Sequence, residues 1–518
     1  MTSPTPQATR PDPAEEYRAR MKRDVRLRVC RGLLLAVVLA GIAVRIVQYA
    51  WRTSLWHDEA LVTLNVTHRT YDQLLRPLDY KQAAPPLFLW GLRWIYLHLG
   101  FGEYQLRVIS LLCGMGSVVL FSWLAWRLFP APVAVCVAGM FAFSDKLIWH
   151  SAEEKQYSGD VFAAVVLLFM ALALRWPIRP LGRLALLAGF GALLLWFSFP
   201  SVFVFGAISL ALLPEIIRHS KTPGRSHLRA SLLEFVLLNA MVLCSFALMY
   251  WLTIRGHDSY LDQYWHEHFA PWSSLWLVPW WVMKETFSLC DHAYRSFGWL
   301  VLPGAFFGAI YLYRDARATL LWAYAGPVAL CLLAAMAHQY PFTGERITVF
   351  LVPGLFLACG AALEALRTPR AVPRWWWVAA VPMIAAGSWI AVRHLAHPHS
   401  RSSIRPISQY VKARRRAGEA ICLVGEGTSP DAHFTSGLNL ELLCYWPDVG
   451  SPLYGAPGSP RLTDIGQVRE KRFWIVYAAL PEHGHRYMQK LLDEARAAAI
   501  LVEDKDIPGG GAFLFEKR

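Results

Sequence analysis

Residues 32–59 read GLLLAVVLAGIAVRIVQYAWRTSLWHDE. Gly32 to Ala50 is an apolar run long enough to cross a hydrocarbon layer as a helix, which takes roughly twenty residues. A basic stretch from Arg18 to Arg31 precedes it, and the acidic pair Asp58-Glu59 follows it within a few residues. No small-residue cleavage site closes the run, so a retained signal anchor is expected rather than a removed signal peptide. Arg45, the deepest charge in this stretch, is read as snorkelling to the outer end.

The same apolar pattern recurs along the chain. Spans are expected near 32–50, 105–126, 130–148, 158–176, 184–199, 201–217, 232–254, 298–313, 318–337, 346–366 and 375–393. The pair flanking Pro200 reads either as two spans or as one broken helix. The stretch 85–99 is short and follows two prolines, and is read as lying in the interface. Bulk composition agrees with a membrane protein. Apolar residues make up 55% of the 518 positions and charged residues 17%, too apolar for a soluble chain, and mean hydropathy is +0.32.

The net charge of +14 follows the positive-inside rule instead of marking a nucleic-acid binder. Arg175-Arg179-Arg183, Arg218-Lys221-Arg225-Arg229, Arg314-Arg317 and Arg367-Arg370-Arg374 fall on one side together with the basic N-terminus. The connections 51–104, 149–157, 255–297 and 338–345 fall on the other side and are rich in Trp, Tyr, His and acids. The reading is thus an α-helical polytopic membrane protein of about eleven spans. It has a cytoplasmic basic tail (1–31), a transmembrane domain (32–397) with polar outer loops, and an extracytoplasmic α/β domain (398–518). In the last, helices are expected over Pro406–Arg416 and Glu482–Ala499. Strands are expected over Ala420–Gly425, Phe473–Leu480, Ile500–Glu503 and Phe513–Glu516, with Gly509-Gly510-Gly511 as a turn. The nine cysteines show no zinc spacing. Cys422 and Cys444 read as one disulfide or as two buried thiols.

The outer loops carry the residues that suit chemistry. Asp58 and Glu59 are adjacent, so on a helix or turn they point to different sides and can do different work. On spacing alone an acidic first helical turn accounts for both. Lys81 precedes the stiff Pro85-Pro86 and suits an anionic headgroup, or snorkels. Glu154, Lys155 and Tyr157 bring both charge signs and a phenol to one short loop. Arg107, at a span start, suits pairing with an acid. Tyr340 leads to Arg346, a guanidinium placed to grip a phosphate or to bridge one of the acids. His266 and His268 form a His-x-His pair, which makes a divalent metal a candidate and interfacial histidines the alternative. Asn65-Val66-Thr67 is a formal glycosylation sequon.

In their order and shared face, Leu55-Trp56-His57-Asp58-Glu59-Ala60, Ala84-Pro85-Pro86-Leu87, Leu106-Arg107 with Ser110, Glu154-Lys155-Gln156-Tyr157 and Tyr340-Pro341-Phe342 with Arg346 and Pro353 resemble a known family. The chain is similar to lipid-linked-sugar glycosyltransferases of the GT-C architecture, in particular bacterial relatives of the protein O-mannosyltransferases and the lipid A aminoarabinose transferase. The resemblance implies a sugar carried on a polyprenyl phosphate as donor and a lipid, glycan or protein as acceptor. It implies a membrane location, the bacterial inner membrane, with transfer on the outer face. It puts Asp58 in the place of the catalytic aspartate and Glu59 and Glu154 in supporting acidic roles. Lys81 and Arg346 fall near the donor phosphate; by charge Lys155 is a further candidate for holding it, and Tyr157, His266, His268 and Tyr340 are candidates for binding substrate. The competing reading is a lipid or glycolipid flippase without transferase activity.

Overall fold

The computed structural model describes residues 13–173, 178–220, 228–255, 263–367, 376–397, 402–424, 437–446, 453–454, 465–478, 482–507 and 510–518. Arg175, Lys221, Arg225, Arg370, Arg374 and Gly509, together with positions 1–12 and 256–262, lie outside the described residues.

Within the described residues each of the expected apolar stretches is mainly helical. In chain order the helices of the first part are α1 (Pro13–Ala50), α2 (His57–His68), α3 (Pro86–Leu99), α4 (Glu103–Leu128), α5 (Ala131–Ala142), α6 (Asp145–His150) and α7 (Tyr157–Leu172). They continue as α8 (Pro180–Leu194), α9 (Ser201–Ser220), α10 (Leu228–Thr253), α11 (Val278–Ala293), α12 (Gly298–Arg314), α13 (Ala318–Met336), α14 (Val352–Arg367) and α15 (Trp376–Ala396). Six helical segments among the described residues have both the length and the apolarity to cross a membrane: Arg20–Ala50, Glu103–Leu128, Ser201–Ser220, Leu228–Thr253, Ala318–Met336 and Arg346–Arg367. Leu275–Ala293 and Gly298–Arg314 form a further pair, bent by 111°. The expected stretches near 130–148, 158–176, 184–199 and 375–393 give shorter apolar helices.

Two sequence expectations, the single helix over 130–148 and the snorkelling Arg45, are corrected by the structure, and the alternatives at Pro200 are resolved. The stretch 130–148 is not one helix: it stops at Ala142 and restarts at Asp145. The Ser144 hydroxyl donates to the Ala293 carbonyl at 2.5 Å, and the Asp145 carboxylate receives His394 at 3.0 Å, so polar partners on other segments override helix continuity. Around Pro200 there are two helices, α8 and α9, packed on each other. Arg45 does not snorkel. It is 1% exposed, and its guanidinium donates to the carbonyls of Gly41 at 2.9 Å and Ala142 at 2.7 Å. The second carbonyl is released by the end of α5, where a helix leaves its last carbonyls unpaired.

The C-terminal part is a three-layer α/β unit. It contains α16 (Ile404–Arg414), α17 (Gly437–Tyr445), α18 (Glu482–Ala498) and five strands: β1 (Ala420–Val424), β2 (Leu453–Tyr454), β3 (Arg472–Ala478), β4 (Ala499–Ile507) and β5 (Gly510–Lys517). The sheet order is β2-β1-β3-β5-β4. β1 runs parallel to β2 and β3, and β5 runs antiparallel to β3 and β4. Successive strand side chains face opposite ways. Cys422, Phe473 and Ile475 therefore pack on Leu491 and Leu492 of α18, while Leu423, Trp474 and Val476 pack with Ile407, Val411 and Leu442 on the other face. Burial on both faces explains the continuous apolar runs of β1 and β3.

Gly510 and Gly511 belong to β5 and not to a turn. A Cβ on Gly510 would stand 2.4 Å from the Ile407 side chain and 2.7 Å from the Tyr477 carbonyl, so the strand reaches its neighbours only as glycine. Cys422 and Cys444 are separate buried thiols, one under α18 and one against α2; the disulfide is absent. The Asn65 side chain is 1% exposed and is bonded to Leu61 and Asp79, which leaves no acceptor nitrogen for a glycan.

Candidate active site

The site is built on the first turn of α2. Trp56 precedes it in extended conformation, and the Glu59 side chain accepts a hydrogen bond from the Trp56 N–H at 3.2 Å, capping one of the free donors at the helix start. Acidic groups in a first turn complement the helix dipole, so the cap reading of this pair holds for Glu59. Adjacent residues on a helix diverge, and the two carboxylates have different surroundings.

Glu59 is fully buried and bidentate with Arg107: Nε to Oε1 at 2.8 Å and Nη2 to Oε2 at 2.7 Å. The Glu154 N–H donates to the same Oε1 at 2.7 Å. Arg107 also donates to the carbonyls of Thr53 at 2.8 Å and Ser54 at 3.2 Å. Removing one member of such a buried pair strands the other charge, at a cost of about 3–5 kcal/mol. The expected pairing of Arg107 with an acid is thus present, and Glu59 is a structural anchor of α2.

Asp58 points elsewhere. Its Oδ2 lies 2.6 Å from Arg346 Nη1, with the two side chains 13% and 20% exposed. The Arg346 guanidinium sits 5.5 Å from the Trp56 ring centre and 6.0 Å from that of Tyr157. Aromatic faces favour a cation placed there. Arg346 begins a short 3₁₀ turn, Arg346–Leu351, that runs into α14. Its loop is held close to α11 because Gly344 lies against Ser288, where a Cβ would clash with that backbone at 2.3 Å.

Lys155 is buried, and its ammonium donates to Gln82 Oε1 at 2.7 Å. Burial lowers its pKa, Asp58 opposes the shift and Arg346 adds to it, which places all three groups within one field. Burial raises the Glu154 carboxyl well above the usual carboxylate range; the hydrogen bond from Thr63, at 2.5 Å, opposes this and Glu59 reinforces it. Among the described residues the other Glu154 oxygen, also buried, has no hydrogen-bond partner. Lys81 is exposed and follows Tyr80, both in the left-handed region (φ 55° and 60°). That conformation is unusual for non-glycine residues. Asp79 is fixed through Asn65 and Arg69, so the chain turns sharply between two fixed points, Asp79 and Gln82.

A cavity of about 760 Å³ opens beside this cluster. Its wall includes Tyr157, whose ring faces Arg346, and Ile347, the next residue along. Tyr340 also lines it, and its hydroxyl donates to the Ile347 carbonyl at 2.7 Å. Most of the remaining wall is apolar, from Phe203, Phe246 and Phe269 among others.

The two histidines do not join the carboxylates. His266 is exposed, and His268 pairs with Glu285 at 3.4 Å. Among the described residues no three His, Cys, Asp or Glu side chains cluster in a way that could hold a metal ion. The His268 carbonyl instead accepts from the Phe342 N–H at 3.2 Å and helps to place the loop leading to Arg346. Thr63 and Gln82 complete the cluster and were not singled out from the sequence. Thr63 lies one helical turn beyond Glu59, a spacing that puts it on the same face. Gln82 carried no signal beyond its place next to Lys81.

No protein-family model and no curated protein sequence matches the chain. Solved structures do resemble it. ArnT from Cupriavidus metallidurans in the apo state aligns with a TM-score of 0.50 and 13% identity over 94% of this chain and 98% of that one. The same protein bound to undecaprenyl phosphate gives a TM-score of 0.50 and 13% identity over 93% and 98%. The archaeal oligosaccharyltransferase AglB from Archaeoglobus fulgidus, in complex with an inhibitory peptide and a dolichol-phosphate, gives a TM-score of 0.50 and 8% identity over 93% and 74%. Both proteins are of the GT-C class, and the chain has the GT-C membrane fold, with a helical bundle followed by a C-terminal mixed sheet.

Proposed function

We propose that the protein is an integral-membrane glycosyltransferase. It moves a hexosyl or pentosyl group from a polyprenyl-phosphate carrier to a lipid, glycan or protein acceptor on the outer face of the membrane. The observation that carries this reading is Asp58 held 2.6 Å from Arg346 beside a large cavity with a mainly apolar wall. An isoprenoid tail fits that wall, a phosphate fits Arg346 and Lys155, and a carboxylate stands next to both. The fold supports it as well: ArnT has been solved with undecaprenyl phosphate and AglB with a dolichol-phosphate.

In this reading the donor phosphate competes with Asp58 for Arg346. Arg346 and Lys155, with Lys81 on its strained turn, hold the phosphate, and Asp58 is released from its ion pair. The acceptor nucleophile attacks the anomeric carbon, Asp58 takes its proton, and the carbon–oxygen bond to phosphate breaks. The bonding pair goes to the phosphate oxygen. The departing phosphate monoester has a second pKa of about 6, so it needs cations more than a general acid. Charge stabilisation and one base suffice, unlike glycoside hydrolysis with its two carboxyl groups. Direct displacement inverts the anomeric centre. Tyr157 and Tyr340 shape the sugar end of the cavity, Glu59 and Glu154 hold the frame, and the N-terminus lies in the cytoplasm of a bacterial cell.

The test is Asp58→Asn in purified protein of confirmed membrane expression, assayed for sugar transfer from a polyprenyl-phosphate donor. Loss of transfer with retained folding is expected. Wild-type-level transfer in the variant removes Asp58 as the base. Lipid movement without transfer by the wild type favours the flippase.

A further inference from the structure

The C-terminal α/β unit sits on the segment that delivers Asp58. The Leu55 N–H donates to the Tyr445 hydroxyl oxygen at 2.7 Å, and that hydroxyl donates to Glu103 Oε1 at 2.9 Å. The Arg405 N–H donates to Ser54 Oγ at 3.2 Å, and its guanidinium reaches Glu103 Oε1 at 2.9 Å. Glu103 Oε2 accepts from Arg52 at 3.1 Å. Glu103, at 2% exposure, thus gathers one group from the start of the 52–56 strap and two from the C-terminal unit. One turn further along α2, the Cys444 thiol donates to the Ala60 carbonyl at 3.6 Å. Leu55, Ala60, Leu61, Leu64 and Leu106 form an apolar cluster that Cys444 completes.

These contacts bracket the catalytic turn. Residues 54 and 55 are held before it and residue 60 within it, while Asp58 makes its contact on the other side, to Arg346. From the membrane side, Arg107 and Glu103 of α4 hydrogen-bond the strap at residues 52–54. A buried N–H such as that of Leu55 is costly to leave unpaired, and its acceptor here comes from 390 residues away.

We propose that the C-terminal unit is part of the catalytic apparatus, with Tyr445 as a positioning residue. Together with Glu103, its hydroxyl sets where the Asp58 carboxylate stands relative to Arg346. This rests on the reading of Asp58 as the base. Misplacement of a reacting group by about 1 Å is enough to cost about a hundredfold in rate, so a fraction of that displacement is expected to be visible in turnover.

Tyr445→Phe keeps the ring, which packs edge-on against Phe101, and removes only the hydroxyl. Expected are a kcat about tenfold lower, a KM for the polyprenyl-phosphate sugar within about twofold, and an unfolding temperature in detergent close to wild type. Glu103→Gln should lower kcat in the same direction, and the double variant should lose less than the product of the two single losses, because both act through one contact. Hydrogen–deuterium exchange of the 52–62 segment supplies a readout independent of turnover, and Tyr445→Phe should speed exchange there. Faster exchange with wild-type protein that transfers no sugar would retire the glycosyltransferase reading and leave the positioning role standing. Unchanged exchange together with unchanged kcat overturns the proposal, as does a kcat loss that merely tracks a loss of folded protein.

Discussion

Two aspartate–arginine contacts can be compared directly. Asp145 is 2% exposed. It receives His394 Nε2 at 3.0 Å on one oxygen and Arg295 at 3.3 Å on the other, and His394 in turn meets Gln48 at 3.3 Å. These groups come from α1, α6, α15 and the turn after α11, so the carboxylate ties four parts of the bundle together. Asp58 meets one guanidinium, is more exposed, and its partner rests on aromatic faces beside a cavity. A carboxylate saturated by protein groups is a fastener. One whose ion-pair partner also suits phosphate is, on the proposed reading, poised to exchange that partner for a ligand.

The comparison can be broken by mutation. Asp58→Asn should reduce transfer about a thousandfold or more, within the range for a lost general base, with folding retained. Arg346→Lys keeps a charge but loses the planar fork, and about a hundredfold loss of transfer is expected; single-turnover assays should show it in the chemical step. Asp145→Asn should do the opposite, lowering stability by about 2 kcal/mol, discounted for the partial exposure of Arg295, with transfer per folded molecule unchanged. Thermal unfolding beside turnover checks this, and an inactive but fully folded Asp145→Asn would erase the distinction.

The smallest effect concerns Glu154. Its folded-state pKa is raised, chiefly by burial. A carboxyl raised in this way keeps its proton in the fold to higher pH than in the unfolded chain, which releases it near pH 4.3. Stability from this group is present below that value and declines as pH rises through the folded value. Glu154→Gln should flatten the fall of unfolding temperature as pH rises above the ordinary carboxylate range. An unaltered slope would show that the carboxyl is ionised in the fold.

The helices were legible because hydrocarbon demands long apolar runs and satisfied backbone groups. Strands β1 and β3 were legible as short apolar runs. What escaped depends on distant partners. The break at Phe143-Ser144 requires the Ala293 carbonyl, 149 residues on, and the burial of Arg45 requires the Ala142 carbonyl, 97 residues on. α17 is a short helix whose apolar residues find their partner in α2, so local pattern had little to report. At the site, residue types and order suggested Asp58, Lys155 and Arg346, and an acid partner for Arg107 was expected. That Glu59 would be the acid, leaving Asp58 to Arg346, follows from which way each side chain leaves the first turn of α2, and this the sequence does not state.

The mainly apolar cavity wall has one more consequence. A ligand with an isoprenoid tail would come to it sideways, out of the bilayer, not from water. Its supply is then counted in molecules per lipid, and collisions take place in a plane. Diluting the membrane with inert lipid should slow such an enzyme even when the number of donors per millilitre is constant. Diluting the whole suspension with buffer should leave the donor-dependent step untouched.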